Sequence, residues 1–507
     1  MKRILAILIA AIMLCSMFVA CQNGGNNTQS DTGSEPADQS GTATTSSESD
    51  EPASAEESSA DPYEHLKKFD FDNEECVFLV NNDNGGRYKS VEILPFEGGS
   101  DVLNEAIEER NAFVENLLNV RITEVRSNNV LGDARNDIQG EGKYDILMPW
   151  MDYATTLAGD GSLFDLYNFS DIIKLDRPYW DQRANSDLSF ANRLFFTTGD
   201  FSLLTYDCTH AIVFNKKLAR DSGCDDMYGL LKDDNWTFDK LWENAKLATQ
   251  ESDGVDGMTY ADTWGFFLNQ NFTTSMFIGA GERLTIKDED DVPQLAPLND
   301  RYSAVVDKIR QIYNDKSSTI IIEDYGSQLG GKYSDVYSAA SAAVGEDRAL
   351  FRSLAMVDLS ELDDYDVDYG LLPVPKYNQE QEEYYNIVSA FLASCICIHT
   401  QVENPEKSAA VAEAIAISST DTVRRAYYDT ILKGRRIPDE AGEFALDIIF
   451  DNRLYEIATI YTFGSLRDLI LTCARASSDV LVSTYTSMQG KVDADIEDLK
   501  DRFDSID

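Results

Sequence analysis

Aromatic side chains stand beside carboxylate or amide side chains at three places, each at the predicted end or beginning of a strand. These residues are Trp150, Asp152, Tyr153, Tyr206, Asp207, Asn271 and Phe272. Flat aromatic rings stack on apolar faces, while carboxylates and amides hydrogen-bond to hydroxyl groups. This combination suits non-covalent binding of a polar solute that also has apolar faces.

Cysteine and histidine are not arranged for metal binding or catalysis. The cysteines after Cys21 are Cys76, Cys208, Cys224, Cys395, Cys397 and Cys473, and the histidines are His65, His210 and His399. The sequence has no CxxC motif and no Cys/His cluster, and its histidines are too scattered to suggest a triad. Cys395 and Cys397 would share one face of a strand with parallel side chains, which disfavours a disulfide between them. We therefore interpret the six as small buried hydrophobic residues, and expect no catalytic residue, metal or cofactor.

One acidic loop resembles a calcium site only in part. Residues 253–257 read Asp-Gly-Val-Asp-Gly, and Asp262 follows. A calcium loop needs oxygen ligands at alternating positions before its glycine. Val255 occupies one such position and the loop is one residue short, so a glycine-rich turn is favoured and calcium stays an alternative.

Strands and helices alternate along the chain. Apolar runs predict strands over 76–80, 120–125, 144–148, 211–214, 264–268, 369–372 and 391–398. Periodic apolar residues predict a helix capped by Ser100 or Asp101, a second over 238–249, and a last one carrying Val492, Ile496, Leu499, Phe503 and Ile506. Strand, helix and strand in units of this size predict an α/β fold with helices on the faces of a parallel sheet.

The N-terminal segment predicts where the protein is located. Lys2 and Arg3 precede an apolar run that ends at Ala20-Cys21, which is typical of a secretory signal over residues 1–20. The small residue before Cys21 resembles a lipobox, which implies that Cys21 becomes acylated; plain secretion is the alternative. Residues 22–62 contain nine acidic residues, fourteen Ser or Thr and no Lys or Arg, so residues 21–62 are predicted to be a disordered, lipidated linker. We expect a membrane anchor on the extracellular face.

Size and charge limit the remaining possibilities. The body after the linker is too long for one core, so two lobes are expected. The whole chain of 507 residues has a formal net charge of −46. Phosphate backbones would be repelled by this charge, so nucleic-acid binding is excluded.

Several sequence blocks, in order, resemble the bacterial extracellular solute-binding proteins of ABC importers. They are NEAIEERN (104–111), LNVRI (118–122), GKYDIL (142–147), RPYWDQ (177–182), TTGDFSLL (197–204), AIVFNKKLA (211–219), NWTFDKLWENAK (235–246), RALF (348–351), YGLLPVPKYNQEQEEYY (369–385), AYYDTILKGRRIPDE (426–440) and LDIIFDNRLYEIATIY (446–461). Each block is weak alone, and their order and number carry the resemblance, which is greatest to the carbohydrate-binding type.

The resemblance implies a two-lobed periplasmic-binding-protein fold, type II-like, with a ligand cleft between lobes that close by a hinge. Lobe 1 is expected over 70–206 plus 369–432, and lobe 2 over 207–368 plus 433–507. The family also brings a late aromatic into the cleft, which here implies Tyr461 and Phe463. A monomer that delivers its solute unchanged to permease subunits is the expected partner arrangement.

Two other functions stay open. A secreted enzyme acting on glycans would need paired carboxylates, and the abundant acidic residues offer many pairs without a supporting motif. A glycan sensor or adhesin would bind without transport. The solute itself is not identified, because sugars, peptides and polyamines are all bound by this fold.

Overall fold

The computed structural model describes residues 61–82, 87–140 and 142–506. The predicted signal peptide, Cys21 and all but the last two residues of the predicted linker therefore lie outside the described residues. Among the described residues no helix is long and apolar enough to cross a membrane.

Twelve strands are distributed along the described residues. They are β1 (Glu74–Asn81), β2 (Val120–Ser127), β3 (Ile146–Met148), β4 (His210–Asn215), β5 (Trp264–Leu268), β6 (Thr285–Lys287), β7 (Pro293–Leu295), β8 (Thr319–Ile321), β9 (Ala349–Ala355), β10 (Tyr369–Leu372), β11 (Asn386–Ile387) and β12 (Arg453–Leu454). Six of the seven predicted strands are confirmed to within two residues of their bounds, namely β1, β2, β3, β4, β5 and β10. The apolar run 391–398 forms no continuous strand.

The α-helices lie between and after these strands. They are α1 (Asp101–Leu118), α2 (Val130–Ile138), α3 (Met151–Gly159), α4 (Gln182–Leu188), α5 (Leu203–Asp207), α6 (Lys216–Asp221), α7 (Met227–Lys232), α8 (Phe238–Ala248), α9 (Phe272–Gly279), α10 (Asp300–Asn314), α11 (Val336–Gly345), α12 (Pro405–Ser419), α13 (Glu440–Asp451), α14 (Ile457–Ile460), α15 (Leu469–Arg475) and α16 (Leu481–Asp504). Tighter 3-10 turns include Ile322–Gln328, Met356–Asp364 and Phe463–Asp468, and wider π-helical turns span Thr420–Arg424 and Ala426–Arg436.

The first sheet is parallel, in the order β2-β1-β3. Phe78 of β1 pairs with Ile146 of β3, and on the other side Cys76 pairs with Ile122. Helix α1 begins after Ser100, as predicted, and buries Leu103, Ile107, Val114 and Leu118. Burying this apolar stripe attaches the helix to the core beside the sheet.

The second sheet has the order β10-β4-β9-β5-β8 and is mixed. Strand β5 runs parallel to β8 and β9, whereas β4 runs antiparallel to both β9 and β10. Every residue of β5 is buried, because helices cover the sheet. The expected α/β class is confirmed, and the expectation of purely parallel pairing is corrected for β4 and β10.

The two sheets with their helices form two lobes. Residues 369–372 are expected in lobe 1, but β10 pairs with residues 212–215 of β4 in the second sheet, which corrects that expectation. The short run 369–372 does not indicate by itself which sheet it joins. In the structure it pairs with β4 at the edge of the second sheet. The other lobe bounds stay predictions.

The apolar run 391–398 behaves differently at its two ends. Ser394, Ile396 and Cys397 make single antiparallel bridges to residues 150, 197 and 147 of the first lobe. Phe391, by contrast, is exposed. Cys395 and Cys397 are buried thiols that form no disulfide, as the sequence predicts.

Candidate functional site

A cavity of about 420 Å³ lies between the two lobes. The first lobe contributes the loop after β1, and the second contributes the carboxyl ends of β5 and β9 with the beginning of β4. The segment after β11 and the turn before α15 complete the wall. The wall includes Arg87, Tyr88, His210, Asn271, Phe272, Asp358, Phe391 and Arg467. Strand ends of this kind are where α/β folds place ligand groups.

One wall of the cavity is a pair of stacked rings. His210 and Phe272 lie with ring centroids 5.6 Å apart and 23° between their planes. Nδ1 of His210 shares a hydrogen bond of 2.5 Å with the hydroxyl of Ser275, and Nε2 makes no hydrogen bond to the described residues. Burial lowers the pKa of His210 to about 4, so the imidazole is neutral at pH 7. It therefore offers a hydrogen-bonding edge without charge.

A second aromatic surface comes from the segment that leads back to the first lobe. Phe391 is 40% exposed, and the Arg467 guanidinium lies 4.8 Å from its ring centroid. Nε of Arg467 lies 3.8 Å from Asp468. An exposed ring beside fixed polar groups is a suitable surface for the apolar face of a sugar.

The charges in the cavity wall are paired. Arg87 contacts Asp358 at 3.3 Å, and Asp358 also accepts a hydrogen bond of 2.8 Å from the fully buried Arg352. Burial raises the pKa of Asp358, while the two guanidinium groups act against that rise. Because its ionic groups already have partners, the wall is suited to a ligand held mainly by hydrogen bonds and stacking.

Trp150, Asp152 and Tyr153 lie at the beginning of α3, next to the cavity rather than in its wall. Trp150 forms a single antiparallel β-bridge with Ser394, and the ring centroids of Trp150 and Tyr153 are 5.2 Å apart. Nε1 of Trp150 and one Asp152 carboxylate oxygen are buried without a hydrogen-bond partner among the described residues. Burial raises the pKa of Asp152 to about 6, against the opposing effect of Arg467 from the cavity wall. Unpaired buried polar atoms are costly, so these two atoms are groups that a ligand can satisfy.

Two predicted residues on α5 face elsewhere. Tyr206 is buried against Tyr427, Tyr428 and Phe450, with the guanidinium of Arg453 at 4.4 Å.

Asp207 accepts a hydrogen bond from the hydroxyl of Tyr427. Burial raises its pKa to about 6. Asp207 lines a second cavity, of about 520 Å³, that also contains Lys89, Phe96 and Arg436. The structure therefore does not bring Tyr206 and Asp207 into the wall of the interlobe cavity.

The late aromatic pair is also outside that wall. Tyr461 and Phe463 are stacked, 5.6 Å apart with 6° between their planes, and they pack against Phe190 of the first lobe. Of the nine predicted binding residues, Asn271 and Phe272 line the interlobe cavity, and Trp150, Asp152 and Tyr153 adjoin it.

The acidic loop uses its carboxylates internally. Asp262 accepts backbone N–H groups from Ser252, Asp253 and Thr259, and Asp253 accepts from Val255 and the Thr259 hydroxyl. Over the described residues, no group of three or more His, Cys, Asp or Glu side chains is placed to hold a metal ion. This geometry is that of the glycine-rich turn which the sequence favours.

The wall residues that the sequence does not predict include His210, Phe391 and Arg87. His210 begins a strand and Phe391 begins an apolar run, so each reads as an ordinary strand residue. Arg87 lies in a loop without regular periodicity. None of the three has a local sequence signal that distinguishes it from an ordinary strand or loop residue.

No protein-family model matches the chain, and no curated protein is similar to it. Solved structures are similar in fold. MalE from Xanthomonas citri superposes with a TM-score of 0.56 at 11% identity, covering 85% of this chain and 99% of that one. An ABC substrate-binding protein from Listeria monocytogenes in complex with cycloalternan gives 0.52 at 12%, covering 84% and 100%. MalE from Bdellovibrio bacteriovorus bound to maltotriose gives 0.51 at 13%, covering 83% and 100%. The chain thus has the two-lobed fold of these sugar-binding proteins.

Proposed function

We propose that this protein captures a sugar or oligosaccharide between its lobes and delivers it unchanged to the permease of an ABC importer. The observation that carries the proposal is the interlobe cavity, which combines aromatic rings with neutral hydrogen-bonding edges. The fold of this protein is that of proteins whose solved structures contain bound cycloalternan or maltotriose. Closure of the lobes around the solute is the signal that the permease would recognise.

Five residues are proposed to contact the sugar together with the wall residues His210 and Phe391. Phe272 and Asn271 would contact it from the second lobe, and Trp150, Asp152 and Tyr153 from the first. A ring on each side of the cavity can stack on the two faces of a pyranose, while Asp152 accepts hydrogen bonds from hydroxyl groups. The cavity volume is within the range of small-molecule sites.

We further propose that the protein is held on the extracellular face of the membrane by a lipid on Cys21. The support is the sequence alone: an apolar run that ends in a small residue before Cys21, then a charged linker. Replacing Cys21 with Ser should release the protein from the membrane fraction into the medium. Retention of the variant in that fraction contradicts the anchor.

A thermal-shift panel tests the substrate class. Neutral mono- and oligosaccharides, including maltotriose, are compared with short peptides and polyamines. A sugar that binds only the folded state increases the free energy of unfolding by RT ln(1 + [L]/Kd), where [L] is the free sugar concentration. Binding must therefore raise Tm. A rise with peptides and none with sugars would overturn the class, and consumption of the sugar on long incubation would favour a glycan-acting enzyme over a binding protein.

A further inference from the structure

Arg87 lies where the first lobe meets the cavity. It lies in segment 87–94, which is attached to two strands of the first sheet. The N–H of Ser90 donates to the carbonyl of Asn81 (3.1 Å), and Nη1 of Arg126 donates to the carbonyl of Ser90 (2.5 Å). This attachment makes the segment part of the first lobe.

The side chain of Arg87 reaches across to the second lobe. Its guanidinium lies 3.0 Å from Asp335 at the beginning of α11, 3.3 Å from Asp358 and 2.5 Å from Glu361. It also donates a hydrogen bond of 2.7 Å to the hydroxyl of Ser338. One side chain of the first lobe thus contacts four polar side chains of the second.

These contacts are poorly exposed to water. The Arg87 side chain is 18% exposed, and those of Asp358 and Glu361 are 7% and 21% exposed. Burial alone would lower the pKa of Arg87, but the three carboxylates raise it above its ordinary value. A partly buried network with a planar, forked donor is more stabilising than an isolated surface pair.

We propose that Arg87 is an electrostatic latch that holds the two lobes together along the wall of the cavity. Arg87 and Asp358 both line the cavity, so moving its walls apart separates the guanidinium from its carboxylates. The inference rests on the proposed function in one respect, namely that the lobes open and close. It requires no knowledge of the solute.

The latch sets how often the empty protein is closed. A ligand that binds the closed state has its apparent affinity scaled by the closed fraction, so a strong latch reduces the cost of capture. Salt screens the contacts at the more exposed Asp335 and opens the lobes further. Loss of the latch therefore increases opening in the absence of any solute.

Small-angle X-ray scattering of the full chain without sugar tests this. We expect Arg87→Ala to raise the radius of gyration by a few per cent over the roughly 22 Å of a compact body of this size. The wild-type chain should expand as salt is raised to about 0.5 M, and the variant should not respond. The matched control is Arg348→Ala: Arg348 is similarly buried, 17% exposed, but its partner Glu346 lies in the same lobe. The control should match wild type.

A second variant protects the test against misfolding. Asp335→Asn with Glu361→Gln removes two negative charges at nearly constant volume and keeps the helix cap at position 335. It should increase the radius of gyration as Arg87→Ala does. Arg87→Lys should give an intermediate radius of gyration, because an ammonium group cannot contact several carboxylates with the planar geometry of a guanidinium. If either Arg87→Ala or the double variant keeps wild-type dimensions and salt response, the latch is wrong. Because no sugar is present, a failed sugar panel leaves this result unaffected.

Discussion

Asp152 is a buried carboxylate beside the interlobe cavity with unused hydrogen-bonding capacity. It lies at the beginning of α3, where the helix dipole favours negative charge, yet one of its oxygens is buried without a partner among the described residues. Burial raises its pKa to about 6. A sugar hydroxyl donating to this oxygen would satisfy it and favour the ionised form.

Sugar affinity should therefore depend on pH through Asp152. The ionised carboxylate is the better acceptor, so affinity should fall as pH decreases below about 6. Asp152→Asn should weaken binding by about 1.5–3 kcal/mol, roughly 10- to 150-fold, and remove this pH dependence. Isothermal titration at pH 5, 6 and 7 measures both effects, using the panel sugar with the largest Tm shift.

The matched control is Asp160→Asn at the opposite end of α3, where Asp160 pairs with Arg135 at 2.7 Å on the surface. That variant should bind like wild type at every pH. Unchanged affinity and pH profile in Asp152→Asn would remove Asp152 from the proposed site.

At the residue scale the sequence predicts the site in part. Asn271 and Phe272 are predicted because residues after a strand of an α/β sheet face its ligand edge, and both line the interlobe cavity. Tyr206 is predicted because it precedes a strand near an expected lobe crossing, but four aromatic or cationic neighbours bury it. Whether an aromatic side chain faces core or cleft is decided by neighbours distant in sequence, which no local pattern encodes.

At the scale of elements, β5 and α8 approach each other closely. A Cβ built on Gly265 would lie 1.9 Å from the carbonyl oxygen of Ala245, so strand and helix touch backbone to backbone. Glycine within a strand often marks such an approach. The helix is fixed in turn by its Thr237 cap, whose side chain accepts from the N–H of Lys240.

Gly265→Ala should thus destabilise the fold, by about 1–3 kcal/mol, because helix and strand must separate. Gly490→Ala is the matched control: it lies in α16 with no atom within 4 Å of the added Cβ, and should stabilise by about 0.5–1 kcal/mol. Denaturant midpoints measure both. A neutral Gly265→Ala would mean that β5 and α8 are not in backbone contact.

The sequence predicts elements well where a single strand or helix is periodic or apolar by itself. Strands β1 and β4 and helix α8 are confirmed for this reason. The run 391–398 gives the same local signal, yet it forms single bridges rather than a continuous strand and exposes Phe391. Its conformation is set by two lobes that it connects, which is information outside the run.

At the scale of the whole molecule, three segments that are distant in sequence meet at one buried carboxylate. Glu92 lies in segment 87–94 and is fully buried, and it accepts a hydrogen bond of 3.0 Å from the hydroxyl of Ser394. Ser394 in turn lies 2.9 Å, oxygen to oxygen, from the hydroxyl of Ser202. These three segments are thereby joined by a buried polar network.

Burial raises the pKa of Glu92 to about 7, which makes the stability of the whole fold depend on pH. An unfolded Glu releases its proton near pH 4.3, so between about pH 4.3 and 7 the folded state holds a proton that the unfolded state has lost. The free energy of unfolding must then fall as pH rises through this window, by at most about 1.4 kcal/mol per pH unit. Glu92→Gln removes this contribution.

The Tm of Glu92→Gln should therefore decline less than that of wild type from pH 5 to pH 7, measured by calorimetry at constant ionic strength. The pKa of His210 is lowered to about 4, so His210 makes stability increase with pH, which is the opposite dependence. This contribution is the same in wild type and Glu92→Gln, and it cancels when the two Tm curves are compared. Exposed Glu97→Gln should follow the wild-type curve. Parallel curves for wild type and Glu92→Gln would show that Glu92 is already ionised in the folded protein, and this polar network would then hold a buried negative charge.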